Sequence, residues 1–319
     1  MATHPGPEEH SGTPRLTSAA FEALFTQLRD ATARGPDDRR GALNNLTPGH
    51  VLAAIGELRS GRTVSLATPI ETVASPDNPE PCSHALTGDA GDRTVTPGLR
   101  FAMDRLAMNV HGNADSHIDA LCHVIYDGAL YNRVDPGTVT PGQGTVLSID
   151  VARDGIVGRG VLLDIPRVRG VPWLEPGDHV TAADLEAAER AQHVRIGTGD
   201  LLFVRVGHRR RRDELGAWDA AQARAGLHPT TLPLLAERGI ATLGSDGNND
   251  TAPSTTAGID FPIHVLAINA MGLHLLDYLQ FEELVPLCED ADRWSFLCVI
   301  APLRLPSATG SPVNPVAIL

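Results

Sequence analysis

Apolar residues recur along this chain at two spacings, one typical of helices and the other typical of strands. After Thr17, apolar positions repeat every three or four residues as far as Leu28, which predicts a capped first helix. Further helices are predicted after Thr47, after Thr181, at 232–237, at 263–271 and near Leu284. Strands are predicted at 63–66, 101–110, 116–123, 145–151, 160–164, 200–206, 241–243 and 296–301.

The predicted helices and strands follow one another without regular alternation. This order predicts an α/β fold (mixed α+β) with a mixed central sheet, because repeated strand–helix–strand units would be needed for a fully parallel one. No internal repeat and no linker divides the sequence, so we expect a single domain over residues 15–319. Residues 1–14 are polar and rich in Pro, Gly and His, and we expect them to form a disordered tail.

The composition is that of a globular protein without a membrane partner. Of the 319 residues, 42% are apolar and 20% are charged, and no apolar run approaches the ~20 residues that span a bilayer. The first residues lack the apolar stretch of a secretory signal, so we expect a cytoplasmic protein. The four cysteines are scattered, which argues against a disulfide framework or a thiolate zinc site. Cys122 is open to two interpretations, a reactive thiol or a small buried hydrophobic residue.

The charged residues exclude several kinds of chemistry. All 26 basic side chains are arginine, which excludes a lysine Schiff base, a Walker lysine and a lysine general base. The formal net charge of −13 argues against a nucleic-acid partner. The basic run at 209–212 predicts a solvated loop, with an anionic partner as the alternative. We therefore expect the partner of this protein to be a small-molecule substrate.

Two imidazoles and a carboxylate lie close together in SHIDALCH, residues 116–123. In an extended strand His117 and Asp119 point to the same face, because side chains alternate between faces. A His and an Asp that converge in this way can bind a divalent metal ion, and His123 nearby can move protons. The alternative is a polar strand end whose histidines bond only to the backbone. The segment thus indicates hydrolytic or acid–base chemistry, or else a structural role.

Several segments in order carry a resemblance to a known family: RGALNNLTP, SHIDALCHV, GDLLFVRVG, LGSDG and PIHVLAINAMGLHLLD. Together they resemble the cyclase family, which includes bacterial kynurenine formamidase and isatin hydrolase. The resemblance extends from about Arg39 to Pro302. It implies a single-domain fold of the swivelling β/β/α type, a metal-dependent hydrolase activity, and a homo-oligomer, either a dimer or a tetramer.

The resemblance also implies roles for individual residues. The family's central motif has the form His-x-Gly-Thr-His-x-Asp-x-Pro-x-His. On this pattern His117 and Asp119 bind a divalent metal ion, and His123 is the catalytic general acid/base. Two further ligands downstream correspond to His264 and to Asp277, which stands where the family usually has Glu.

The chain departs from the family pattern at two ligand positions. The first His of the motif falls at Asn113, a neutral oxygen ligand that is weaker than imidazole. The carboxylate of Asp277 is one methylene shorter than that of Glu. These departures favour one divalent ion (Mn²⁺, Mg²⁺ or Zn²⁺) over two, and they leave loss of the metal open.

The sequence supports three hypotheses of function. The first is metal-dependent hydrolysis of an amide, lactam or ester in a small cyclic or aromatic substrate, similar to kynurenine formamidase. The second is a polyketide-type cyclase or dehydratase that uses His123 for proton transfer. The third is a non-catalytic descendant that binds a small ligand. The retention of four candidate site residues argues against the third, and Asn113 keeps it open.

Three more residues are candidates for the surroundings of the site. Asp246 is predicted to orient His264 or the substrate, since ligating histidines commonly bond to a carboxylate, or else only to bond to its own turn. His111 is predicted either to face the pocket or to be a structural histidine. Tyr131 is predicted either to line the pocket, together with residues 75–91, Phe101, Tyr126 and Trp173, or, like each of these, only to pack within the fold.

Overall fold

The computed structural model describes residues 15–87, 99, 101–140 and 145–319, so the predicted tail at 1–14 lies outside the described residues. The strands are β1 (Thr63–Ser65), β2 (Ser83–Leu86), β3 (Asp104–Ala107), β4 (His117–Asp119), β5 (Ile156–Asp164), β6 (His179–Val180), β7 (Leu201–Arg205), β8 (Gly226–Leu227), β9 (Thr242–Ser245), β10 (His274–Asp277), β11 (Ser295–Ile300), β12 (Gly310–Pro312) and β13 (Val316–Ile318). The α-helices are α1 (Ser18–Ala31), α2 (Pro48–Ala54), α3 (Ile165–Arg169), α4 (Ala182–Ala191), α5 (His208–Leu215), α6 (Leu232–Arg238), α7 (Pro262–His264) and α8 (Leu284–Asp290).

A mixed sheet forms the centre of the fold, and in the described part of the chain it has nine strands. Their order is β1-β13-β11-β5-β7-β9-β10-β4-β12. The four strands β5, β7, β9 and β10 run parallel to one another, and antiparallel strands flank them on both sides. Two small sheets, β2-β3 and β6-β8, lie apart from this sheet. The fold is therefore the mixed α/β type expected from the irregular order of elements.

The parallel strands are buried because both faces of the sheet are covered. Every residue of β7, β9 and β10 is buried, and the apolar runs that predicted β7 and β11 supply much of the core. Helix α1 packs against α6 and against a π-helix at Val265–Ala270 that continues α7. This core fixes the strand ends from which the candidate site is built.

Helix caps lie where the sequence predicted them. The Thr17 hydroxyl accepts a hydrogen bond from the backbone of Ala20 at 3.2 Å and begins α1. Thr181 and Asp184 form a reciprocal capping box at the start of α4. Both contacts satisfy backbone N–H groups that have no partner within the helix.

The structure corrects two predicted elements. Residues predicted as a strand at 145–151 contain instead a 3₁₀ helix at Ile149–Ala152. The basic run at 209–212, predicted as a loop, lies within α5, where Arg212 forms ion pairs with Glu71 and Asp77. Charge alone does not prevent a helix when the guanidinium groups find carboxylates.

Two smaller observations concern the cysteines and the membrane. Cys122 is buried, and burial raises the pKa of its thiol to about 11, which fits a small hydrophobic residue better than a nucleophile. No helix among the described residues is long and apolar enough to cross a bilayer.

Candidate metal centre

The candidate site lies where three strands of the central sheet meet. Asp277 ends β10, and in the antiparallel pairing with β4 it stands opposite His117. The next parallel strand, β9, leads into the polar segment Asn248-Asn249-Asp250. Because β9 and β10 run parallel, their carboxyl ends open at the same edge of the sheet, which is the usual position of ligand sites in such sheets. The topology thus gathers residues that lie far apart in sequence.

The carboxylate of Asp119 is the centre of the cluster. Its side chain is fully buried at the end of β4. Oδ1 lies 2.9 Å from Nδ1 of His111 and 3.8 Å from Nε2 of His117, whereas Oδ2 lies 3.4 Å from Nε2 of His264. Burial alone would raise the pKa of Asp119, but the nearby His123, His111 and His264 hold it well below its ordinary value. Asp119 is therefore an ionised carboxylate between two groups of imidazoles.

His264 is held in one orientation by a carboxylate that the sequence analysis did not select. Its Nδ1 lies 2.6 Å from Oδ2 of Asp250, and that carboxylate also accepts the backbone N–H groups of Ile263 and His264. Since an ionised carboxylate only accepts, Nδ1 carries the proton and Nε2 points to the carboxylates of Asp119 and Asp277. Burial opposes a charge on His264, but Asp119, Asp250 and Asp277 hold its pKa well above the ordinary value, so without a metal ion a second proton is held on Nε2 between the carboxylates of Asp119 and Asp277.

Asp277 is fixed beside His264. Its Oδ2 lies 3.4 Å from Nε2 of His264 and accepts a hydrogen bond from Nδ2 of Asn248 at 2.6 Å. Its Oδ1 accepts from the backbone N–H of Asn249 at 3.2 Å and from the Asn249 side chain at 2.5 Å. Two asparagines therefore orient this carboxylate, and both of them were missed in the sequence.

His117 presents a free nitrogen to the same centre. Its Nδ1 lies 2.9 Å from the backbone carbonyl oxygen of Asp115 and must be the protonated nitrogen, because a carbonyl oxygen cannot donate. In the neutral tautomer that this contact selects, Nε2 is the acceptor nitrogen, and it faces Asp119. This is the tautomer that a metal-ligating histidine adopts when its other nitrogen is bound to a carbonyl group.

His111, and not Asn113, brings an imidazole to the first position of the motif. Oδ1 of Asn113 accepts a hydrogen bond from the Tyr278 hydroxyl at 2.9 Å. His111 reaches Asp119 through Nδ1, and its Nε2 lies 3.0 Å from the Thr309 hydroxyl. The close approach is possible because β12 has Gly310 opposite Asp119; a Cβ there would lie 2.6 Å from Cε1 of His111.

His123 lies at the edge of the cluster and faces the cavity beside it. Its ring stacks on that of His111, with 3.8 Å between centroids and 10° between planes. Neither ring nitrogen forms a hydrogen bond with another described residue. Burial lowers the pKa of His123 to about 4 against the opposing pull of Asp119, so its imidazole is neutral at neutral pH. A neutral imidazole in this position can accept a proton.

The donor atoms fit a divalent metal ion. Among the described residues, two groups have all their donor atoms within 4.8 Å of one another: His111, His117 and Asp119, and Asp119, His123 and His264. Oδ2 of Asp119 is buried yet has no hydrogen-bond partner in the described structure, a costly state for a carboxylate oxygen. Its 3.4 Å spacing to His264 matches that of neighbouring ligands on one ion with bonds of about 2.0–2.2 Å. The nearest partner of Oδ2 is the imidazole of His264, farther away than in a good hydrogen bond, and a cation bound between the two would satisfy both groups.

A cavity of about 600 Å³ opens onto this cluster. His111, Asn113, His117, His123, His264 and Asp277 all contribute to its wall. Its other side is mainly apolar and includes Val124, Ile125, Tyr126, Ile259 and Phe261. The loop that follows His123 is held in place by Asn269, whose side chain donates to the carbonyl groups of Val124 and Ala129.

Two residues predicted for this site lie elsewhere. The Asp246 carboxylate accepts hydrogen bonds from the backbone N–H groups of Val206 and Gly207 at 2.6 and 2.8 Å, so the predicted contact with His264 is made by Asp250 instead. The Tyr131 hydroxyl donates to Asp38 at 2.7 Å, and the ring lines a separate cavity of about 500 Å³.

The predicted pocket lining also needs correction. Tyr126 lines the cavity of the metal centre as predicted. Phe101, Trp173 and the described residues of 75–87 do not contribute to its wall, and residues 88–91 of that loop lie outside the described part of the chain. The wall includes instead residues 258–261, together with Ala221, Arg224 and Val265.

Comparison with known proteins identifies the family. The sequence model of the cyclase family matches residues 63–249, more than half of the chain. The chain therefore belongs to the cyclase family, as the order of its motifs indicated. No curated protein matches the sequence.

Solved structures agree with this assignment. A crystal structure described as a novel cyclase is 29% identical and covers 92% of this chain and 99% of its own, with a TM-score of 0.82. An isatin hydrolase bound to the product analogue thioisatinate is 20% identical, covering 86% of this chain and 99% of its own at a TM-score of 0.56. Isatin hydrolase A from Labrenzia aggregata, bound to benzyl benzoate, is 21% identical. It covers 84% of this chain and 98% of its own, with a TM-score of 0.57. The similarity to the two isatin hydrolases shows a shared fold and nothing more.

Proposed function

We propose that this protein is a metal-dependent hydrolase that cleaves an amide, lactam or ester bond in a small cyclic or aromatic substrate. The observation that carries the proposal is the carboxylate of Asp119, buried and ionised, with Oδ2 lacking a hydrogen-bond partner among the described residues. Imidazoles of His111, His117 and His264 surround it. This donor set is the kind that binds Zn²⁺ or Mn²⁺.

The ligands divide into two groups around Asp119. His264 and Asp119 would hold an ion, with Asp277 as the neighbouring acidic ligand. His117 and His111 face Oδ1 of Asp119, and His111 would supply the imidazole that is missing at Asn113 if a cation displaced the proton that its Nδ1 donates to Asp119. A bound divalent ion supplies Lewis acidity, which acidifies water and polarises a carbonyl group.

His123 acts in this proposal as the general acid/base. Its neutral imidazole accepts a proton from the attacking water and returns it to the leaving nitrogen or oxygen. The stacked ring of His111 and the loop held by Asn269 fix its position at the cavity wall. Asp250 keeps His264 in the tautomer that leaves Nε2 available to the ion.

The cavity suits a small substrate with an apolar ring. A volume of about 600 Å³ is within the range of small-molecule sites, and its apolar wall at Ile125, Ile259 and Phe261 faces the polar cluster. The scissile bond would lie at the cluster and the ring against this wall. The isatin hydrolases that share the fold act on an aromatic lactam by name, which supports this substrate class.

The proposal is tested by hydrolysis of N-formyl aromatic amines, lactams and lactones, with the protein loaded in turn with Mn²⁺, Zn²⁺ and Mg²⁺. We expect the wild type to hydrolyse at least one of these classes of compound. In His123→Ala the turnover rate should fall about 100-fold or more while the metal content stays unchanged. His84→Ala, on the exposed β2, serves as the matched control with activity retained. No turnover of any compound by any loaded form would contradict hydrolysis and favour the proton-transfer reaction.

A further inference from the structure

Arg224 is a buried cation in the wall of the cavity, and the proposed chemistry does not use it. It lies just before β8, and only 1% of its surface is exposed. Its backbone pairs with that of Ala252 in both directions, at 2.9 and 3.0 Å. Nε donates to the carbonyl oxygen of Asp250 at 3.0 Å, and Nη1 donates to those of Ala220 and Ala221 at 2.9 and 3.1 Å. The guanidinium is therefore rigidly placed.

The guanidinium of Arg224 lacks an acidic partner. No carboxylate of the described residues lies within 4.0 Å of it, and its Nη2 forms no hydrogen bond with them. Arg205, which is also buried, contacts the carboxylates of Asp164 and Glu282 at 2.9 and 2.8 Å. A buried charge without a counter-ion is costly, so buried arginines are normally paired. Arg205 is thus a buried arginine of this chain whose charge is paired, and Arg224 differs from it in lacking a carboxylate partner among the described residues.

Arg224 belongs to the wall of the cavity of the metal centre. Arg224 lines that cavity together with Ala221, Phe261 and His264. Its Cζ lies 5.1 Å from the centroid of the Phe261 ring, so the aromatic wall and the cation are adjacent. With Nε and Nη1 committed to carbonyl groups, only the two N–H groups of Nη2 remain for a ligand. One amino group suits a single carboxylate oxygen.

We propose that Arg224 binds a carboxylate of the substrate, so that the natural substrates are aromatic or cyclic acids. The acid group pairs with Nη2 of Arg224, the ring packs against Phe261, and the scissile bond points to Asp119 and His264. This proposal depends on the proposed function for the identity of the cavity. It does not depend on turnover, because the carboxylate on Arg224 does not take part in the reaction.

The test compares benzoate with benzamide, two probes of the same shape that differ in charge, by calorimetric titration of the metal-loaded protein. We expect the wild type to bind benzoate about 10-fold or more tightly than benzamide, as a charge-assisted hydrogen bond requires. Arg224→Gln should lose this preference and keep its affinity for benzamide within about twofold. Arg210→Gln, an exposed arginine paired with Glu214, is the matched control and should keep the preference.

Two outcomes would overturn the proposal. One is a benzoate preference that persists in Arg224→Gln, since the metal ion would then be the anion site. The other is a wild type that binds neither probe, or both equally.

A second variant covers the case in which Arg224→Gln does not fold. Ala221 is exposed, lines the cavity and accepts a hydrogen bond from Arg224. Ala221→Asp should supply an internal carboxylate and abolish the preference with Arg224 intact, and retention of the preference would refute the proposal. The test measures the binding of both probes and not their hydrolysis. A protein that prefers benzoate but hydrolyses no compound would therefore contradict the proposed function and still support the role of Arg224.

Discussion

Replacing His111 should damage metal binding, whereas replacing Asn113 should not. Nδ1 of His111 lies 2.9 Å from Oδ1 of Asp119, while the oxygen of Asn113 is engaged by the Tyr278 hydroxyl. His111→Ala removes either a ligand or the group that orients a ligand, and such losses weaken metal affinity about 10- to 100-fold. That range corresponds to about 1.4–2.8 kcal/mol of binding free energy. Asn113→Ala removes one hydrogen bond of Tyr278, which costs about 1 kcal/mol of folding free energy.

The assay is competition for Mn²⁺ and Zn²⁺ against a chelator of known affinity, combined with metal analysis after dialysis. We expect His111→Ala to lower affinity and to retain fewer ions than the wild type, and Asn113→Ala and Asn113→His to match the wild type within about twofold. Urea unfolding of the metal-free proteins separates effects on folding from effects on the ion. Equal weakening in the two alanine variants, or tighter binding in Asn113→His, would refute the assignment of His111.

The remaining predictions concern two carboxylates with different roles. Asp250→Asn should lower metal affinity about 10-fold, because an amide cannot accept from Nδ1 of His264 and from two backbone groups as a carboxylate does, and chelator competition measures this. Unchanged affinity would contradict the role of Asp250. Asp246→Ala should lower the free energy of unfolding by about 2–4 kcal/mol, since two buried backbone N–H groups lose their acceptor, with metal affinity kept within twofold. Urea unfolding measures the first effect, and lost metal affinity in a folded variant would show that Asp246 acts on the site.

Sequence patterns predicted the parts of this fold that depend on local spacing. The caps at Thr17 and Thr181 form as predicted because they need only residues three positions apart. His117 and Asp119 share a face of β4 because a strand alternates its side chains. In both cases the backbone is regular, so the spacing of two residues in the sequence determines whether their side chains meet.

Contacts between elements that are distant in sequence cannot be predicted from residue spacing in this way. Asp250 reaches His264 because its carboxylate accepts the backbone N–H groups of Ile263 and His264 in α7, and 14 residues separate the pair in sequence. The sequence did hold a signal for it, since Asn248, Asn249 and Asp250 follow shortly after the strand predicted at 241–243. Asp246, four residues earlier, is the carboxylate that the sequence predicted for this contact, since ligating histidines commonly bond to a carboxylate. Its own contacts turned out to be with the end of β7.

The position of His111 shows why spacing in the sequence does not determine which side chains reach Asp119. The interpretation that Asn113 is the first ligand assumes that the backbone before β4 is fixed as in other members of the family. Here residues 108–116 form no strand, so a side chain two positions earlier can reach Asp119. Which side chain arrives depends on β12, because Gly310 leaves the room that the His111 ring occupies. In the proposed centre the imidazole would therefore come from a residue other than Asn113, and a strand nearly 200 residues away makes space for it.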